Sequence, residues 1–202
     1  MLKQLSVIAI ALLATQAHAA VGQPFVTLGL GQSSYSDGCE VVVGDCDDKD
    51  TAFRVGAGVE FAPMYSAELT YLNHGESTDN FSEVVFGVNA FDNYSIEAET
   101  FALQVGATMN VAPQFNVYGK AGIALTKAEA SNNYGIVGGT QFTDRTDDDT
   151  TGAILSIGAQ YAVMPNLMLD IQVDHLPKAI DLKEIEFESD LTTISAGLKY
   201  QF

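Results

Sequence analysis

Residues 190–202 read D-L-T-T-I-S-A-G-L-K-Y-Q-F. One alternate set from Thr192 onward is Thr192, Ile194, Ala196, Leu198, Tyr200 and Phe202; the other is Thr193, Ser195, Gly197, Lys199 and Gln201. A period of two is the mark of a β-strand, whose successive side chains leave opposite faces of the sheet. The stretch therefore predicts a strand with one oily and one polar face, but a sheet in water and a sheet in lipid both produce that pattern.

Working outward, the alternation returns seven more times. Residues 25–34 set Val26, Leu28 and Leu30 against Thr27, Gly29 and Gly31, and residues 51–61 set Phe53, Val55, Ala57, Val59 and Phe61 against Arg54, Gly56, Gly58 and Glu60. Further strands are read at 64–73, 99–111, 114–126, 152–163 and 166–174. Three connections are short and marked by Pro63, Pro113 and Pro165 at intervals of about fifty residues, a weak hairpin repeat. Proline fixes φ and lacks an N–H, so it suits a tight turn and breaks a ladder. The other four connections, at about 35–50, 74–98, 127–151 and 175–189, are long and polar. Tight turns thus fall at one end of the strands and long loops at the other.

The net charge is −17 with only 17% charged residues, and most of the acids sit in the long loops. No basic patch is available to neutralise phosphate, which argues against a nucleic-acid partner. In the register above, the oily strand faces carry no charge, while the polar faces are rich in glycine and too thin to coat a protein in water. Small residues suit the inside of a narrow eight-stranded barrel. The oily set is then assigned to lipid, with Phe61, Tyr65, Phe115, Tyr161, Tyr200 and Phe202 near the short turns as an interfacial aromatic girdle.

Residues 1–19 carry Lys3, an apolar run over 5–14 and the small-x-small ending Ala17-His18-Ala19, the layout of a secretory signal peptide cleaved after Ala19, or alternatively after Ala20. Residues 20–202 are then one barrel domain. Export places Cys39 and Cys46 in an oxidising compartment, where a local disulfide is the favoured reading and a metal pair the weaker one.

Together these features resemble the OmpA- and OmpX-type outer-membrane β-barrels over the whole mature sequence. They are eight alternating segments, three Pro-marked turns, four long loops, the stretch V-Y-G-K-A-G at 117–122 and the ending G-L-K-Y-Q-F at 197–202. The resemblance implies an all-β, antiparallel, up-and-down transmembrane barrel in the bacterial outer membrane, with short periplasmic turns and long extracellular loops. It also implies that Tyr200 and Phe202 form the terminal signal read by the outer-membrane assembly machinery, with periplasmic chaperones delivering the chain and lipopolysaccharide among the surrounding lipids. No peptidoglycan-binding domain follows the barrel, so a direct link to the cell wall is not implied, and a monomer without cofactor is expected.

The lumen-facing charges come out as Arg54, Lys120 and Lys199 against Glu60, Glu68 and Asp170, with Asp174 nearer the loop end. Buried charges are costly unless paired, so this near balance predicts an ion-pair network that plugs the lumen; a wet, ion-conducting lumen is the alternative. A lipid A-modifying enzyme is the reading from another class, and needs a histidine beside a serine at the lipid interface. His74 and His175 are the candidates, both placed at strand ends and read as interfacial or solvated. Two acidic runs, Asp45, Asp47, Asp48 and Asp50, and Asp144, Asp147, Asp148 and Asp149, invite calcium, yet neither has the glycine and terminal glutamate of an EF-hand loop. A solvated surface is expected there. Residues 81–91, apolar for an exposed connection, suggest adhesion to a host or neighbouring surface. The function expected is a structural surface barrel that contributes to adhesion or envelope integrity.

Overall fold

The computed structural model describes residues 22–36, 45–47, 49–85, 88–182 and 187–202. The proposed signal peptide and Cys39 lie outside the described residues, as does the side chain of Cys46. The strands are β1 (Gln23–Tyr35), β2 (Asp45–Asp47), β3 (Lys49–Ala62), β4 (Tyr65–Val85), β5 (Val88–Ala112), β6 (Phe115–Ile136), β7 (Gln141–Met164), β8 (Leu167–Leu182) and β9 (Phe187–Gln201). All eight long strands pair antiparallel with their neighbours in sequence. The ring closes where β1 meets β9, from Phe25–Gln201 to Tyr35–Leu191. The short β2 lies outside the ring, against Thr78 to Asn80 of β4.

The 190–202 alternation sits as read. Ile194 is 58% exposed on the outer wall, while Ser195 and Lys199 are buried in the lumen. The same holds around the ring, where Leu30, Val105 and Ile157 are exposed and Arg54, Gln104 and Gln172 are buried. Closure leaves no edge in this zone, so every stave can bond on both sides, as a bilayer requires. At the short-turn end, each of the three Pro-marked turns carries the same register shift, at Glu60/Ala62, Asn110/Ala112 and Ala162/Met164. After each proline, the carbonyl of Met64, Gln114 or Asn166 accepts a bond from the adjoining strand, at 2.8, 2.8 and 2.9 Å.

At the other end the structure departs from a picture of strands giving way to coil. The β4–β5 ladder continues to Val85–Val88, and the β6–β7 ladder to Gly135–Gln141. Most of the second and third long connections is therefore a four-stranded wall, β4 to β7, standing above the barrel mouth. Its pattern reverses that of the barrel: on β5, Glu97 and Glu99 point outward and Ile96 and Ala98 inward. Above the lipid the outer solvent is water, and the apolar set turns to the inside.

Lumenal glycines make room for the interior. A Cβ on Gly158 would run into the Tyr118 ring, and one on Gly56 into the Glu68 carboxylate.

Candidate functional site

The lower lumen is filled by charged and amide side chains from seven staves. Arg54 on β3 reaches across to β8, its Nη2 donating to Asp170 Oδ2 at 2.5 Å and its Nη1 to Gln172 Oε1. The Tyr118 hydroxyl lies 2.8 Å from both Asp170 Oδ1 and Gln172 Oε1, and Gln160 Nε2 donates to Asp170 at 3.0 Å. Lys120 Nζ donates to Glu68 Oε2 at 2.7 Å, and Thr27 supplies a further bond to Oε1 of that carboxylate at 2.7 Å. Nearer the end that carries the short turns, Lys199 Nζ donates to Glu60 Oε1 at 2.7 Å and stands 4.1 Å from the centre of the Phe25 ring.

The six lumenal residues picked out from the sequence thus stand as three ion pairs. Each member has at least one further polar or aromatic neighbour, which for Lys120 is the Tyr118 ring at 5.1 Å. Among the described residues no cation forms an ion pair with Asp174. Ser156 and Gln172 both donate to its Oδ1 at 2.5 Å, and Gln104 backs Ser156 at 2.6 Å. The space left among these groups is a cavity of about 10 Å³, lined by Arg54, Glu68, Tyr118, Lys120 and Asp170 among others. One water needs roughly 10–15 Å³.

Above this network the lumen is apolar, a feature that reading the lumen as polar throughout does not include. Tyr35, Leu72, Ile96, Ile154, Leu176, Ile180 and Leu191 form one cluster with Ala98, Ala102, Ala124, Ala128 and Ala130. His74 stands within it, 0% exposed. This overturns its reading as an interfacial or solvated residue: β4 continues upward past it, and the wall encloses it. Its Nδ1 lies 3.0 Å from Ser33 Oγ and from Thr193 Oγ1, and its Nε2 lies 3.0 Å from Thr100 Oγ1, which in turn meets Thr126 Oγ1 at 2.9 Å. A chain of one imidazole and four hydroxyls thus ties five staves together. Every buried polar atom of the imidazole is satisfied, as burial in apolar surroundings demands.

His175 lies on the outer wall, half-buried, with Nδ1 3.0 Å from Thr192 Oγ1. It borders an apolar groove of about 560 Å³ that crosses Ala107, Gly119 and Ala121 between Tyr65 and Ile157.

On the wall, four acids stand side by side on the outer face in one row, Glu76, Glu97, Glu129 and Asp147. Arg145 approaches Glu129 at 3.7 Å, with both side chains largely exposed. At the top of the β6–β7 hairpin Tyr134 stacks on Phe142 with centroids 5.6 Å apart, beside exposed Ile136 and Val137. The Tyr134 hydroxyl donates to Asp144 at 3.2 Å, and that carboxylate pushes the phenol above its ordinary pKa.

Of the first acidic run, Asp48 and the side chains of Asp45 and Asp47 lie outside the described residues; the second run, 144–149, does not converge. Strand alternation sends Asp147 and Asp149 to one face and Asp144 and Asp148 to the other. Asp50 instead accepts the backbone N–H of Thr51 and of Glu76, at 2.6 and 2.8 Å. Among the described residues no three acids, histidines or cysteines gather closely enough to hold a metal ion. Over 81–91, Phe81 pairs with Asp92 and Ser82 with Phe91, so this stretch belongs to the β4–β5 hairpin; residues 86–87 lie outside the described residues.

No curated protein matches the sequence. Among solved structures, Neisserial surface protein A is similar at 14% identity and a TM-score of 0.57, over 89% of this chain and 97% of that one. Ail, the attachment invasion locus protein of Yersinia pestis, solved with the heparin analogue sucrose octasulfate, is similar at 15% identity and a TM-score of 0.51, over 90% and 99%. The N-terminal barrel domain of Pseudomonas aeruginosa OprF aligns at 12% identity and 0.51, over 90% and 98%. These likenesses establish the fold. The family model for the outer membrane protein beta-barrel domain matches residues 5–202, so the chain belongs to that family and its place is the bacterial outer membrane.

Proposed function

We propose that this protein is a closed, structural outer-membrane barrel that carries an acidic wall above the membrane for surface contact, in adhesion or in maintaining the envelope. The observation that carries the reading is the filled lumen. Three ion pairs block the lower half and an apolar cluster the upper half. Buried pairs with additional hydrogen bonds hold their geometry, because separating one leaves a charge uncompensated in a region of low dielectric. In planar bilayers the expected outcome is no steady conductance; a stable, large channel overturns the plug.

The contact surface is the wall. Its charge separates it from a binder of sulfated glycans such as the analogue bound to Ail, because rows of carboxylates repel sulfate. Tyr200 and Phe202, packed edge to face at 5.1 Å on the outer wall, are assigned the role of assembly signal.

The lipid-modifying alternative has one observation in its favour, the position of His175 beside an apolar groove on the lipid side. Its hydroxyl partner is Thr192, and among the described residues no carboxylate orients the imidazole, so the apparatus that activates a hydroxyl is incomplete. The serine–histidine pair Ser33–His74 is sealed from lipid. Mass analysis of lipid A from overexpressing cells is expected to show no change; a mass shift abolished by His175→Ala would establish the enzyme.

A further inference from the structure

Between the ion pairs of the lower lumen and the apolar cluster above them lies a group of polar side chains that do not satisfy one another. Among the described residues seven buried side-chain atoms have no hydrogen-bond partner, and four of them are Arg54 Nε, Gln104 Oε1, Asp174 Oδ2 and Ser195 Oγ. None of these four residues is more than 2% exposed. Register and hydrogen bonds bring them together. Asp174 on β8 stands between Ser156 on β7 and Thr193 on β9, and Ser195 is the next inward residue of β9, paired with Gln172. Ser156 and Gln172, which both donate to Asp174 Oδ1, lead on to the other two: Gln104 donates to Ser156, and Arg54 to Gln172. A Cβ on Gly29 would stand 3.4 Å from Arg54 Nε and 3.5 Å from Ser195 Oγ, so this glycine keeps β1 clear of both.

Charge marks the same place. Three lumenal cations, Arg54, Lys120 and Lys199, face four carboxylates, and each is ion-paired with one of Asp170, Glu68 and Glu60. The negative charge left over is that of Asp174, which is 0% exposed. A buried charge without a counterion is costly. The two hydrogen bonds to Asp174 both end on Oδ1, and Oδ2 receives none. Gln104 Oε1 is a carbonyl that only accepts, and the Ser195 hydroxyl can accept as well. Carboxylate, carbonyl and hydroxyl oxygens are the ligands of hard cations, whereas Arg54 Nε is a donor and takes no part in holding one. Valence follows from the charge. A monovalent ion brings the lumen to neutrality; a divalent one would reverse the imbalance, with a single free carboxylate to hold it.

We propose that Asp174 Oδ2, Gln104 Oε1 and Ser195 Oγ bind a small monovalent cation of the sodium class inside the lumen. This goes beyond surface contact and rests on the closed-lumen part of the reading above. The test uses the membrane-inserted protein in phosphatidylcholine vesicles, unfolded by urea in sodium chloride or, at equal ionic strength, in choline chloride, whose cation is bulky. A ligand that binds only the folded state raises the folding equilibrium constant by the factor 1 + [L]/Kd. With sodium at about ten times Kd, the expected gain over choline is about tenfold. It should vanish in Asp174→Asn and shrink in Ser195→Ala, which removes one ligand and keeps the charge. Ser195→Ala decides the matter if Asp174→Asn does not insert.

Equal stability of the parent in the two salts overturns the proposal, as does a sodium gain that both variants keep in full. Conductance in planar bilayers separates it from the reading it rests on. A non-conducting barrel indifferent to sodium keeps the plug and loses the cation site, whereas a steady open channel overturns both.

Discussion

Strand β5 is built to two opposite rules along its length. From Phe101 to Val111 its outward residues are oily, with Leu103, Val105 and Met109 all more than half exposed, and Gln104 is buried inside. From Ser95 to Glu99 the outward residues are polar or charged, and Ile96 and Ala98 are buried inside. On the β6 side the same backbone ladder runs through both zones without interruption, while on the β4 side the register shifts between Asn73 and Glu76, at the boundary. The difference teaches that the strand's period is a property of the sheet, whereas which face is oily reports the solvent outside it. Lipid offers no hydrogen bonds, so polar groups collect in the lumen and satisfy one another there. Water rewards burial of apolar area, so above the membrane the oily set turns inward.

The largest effect is expected at the ion pairs. Arg54→Ala, which leaves Asp170 buried beside no cation, is expected to cost about 3–5 kcal/mol in reversible unfolding from micelles. The double change Arg54→Met/Asp170→Leu should recover most of that loss, since a packed apolar pair replaces the charges. On the outer wall of the barrel, Ile157→Lys lies near the middle of the oily run and is expected to cost about 2–4 kcal/mol in a bilayer. Within the apolar upper lumen, His74→Ala removes the hub of the hydroxyl chain and is expected to cost about 1–3 kcal/mol. The smallest effect should come from the same kind of outward position above the lipid: Glu97→Lys is expected to stay within about 0.5 kcal/mol of the parent. If Glu97→Lys and Ile157→Lys cost the same, the reversal of pattern along the strands does not mark a change of solvent.

The barrel staves were legible because each offers three to six alternating positions per face with unlike faces; 190–202 alone predicts which residues of β9 share a face, and the other staves decide that the oily set faces out. Arg54, Lys120, Glu68 and Asp170 were legible as lumenal because each occupies an alternate position opposite oily neighbours. Their pairing was not, since Arg54 and Asp170 are joined by barrel closure and not by nearness in sequence. The wall was hidden for a different reason. Residues 95–99, S-I-E-A-E, alternate as faithfully as any stave, but with acids outward and small apolar residues inward the run has the composition of a polar loop. His74 was misplaced for the same cause: read as lying at the foot of a loop, it belongs to a strand that runs eleven residues further, to Val85. A test for alternation blind to which set is oily finds both.

The length of that wall has a mechanical consequence. Between Glu99, just above the oily zone, and Val88 at the far end of β5, the chain climbs eleven steps of about 3.3 Å, and with a barrel-like tilt that is a height on the order of 30 Å. The top of the wall thus projects well past the lipid headgroups and stands where a large macromolecule excluded from the membrane surface itself still has room to approach.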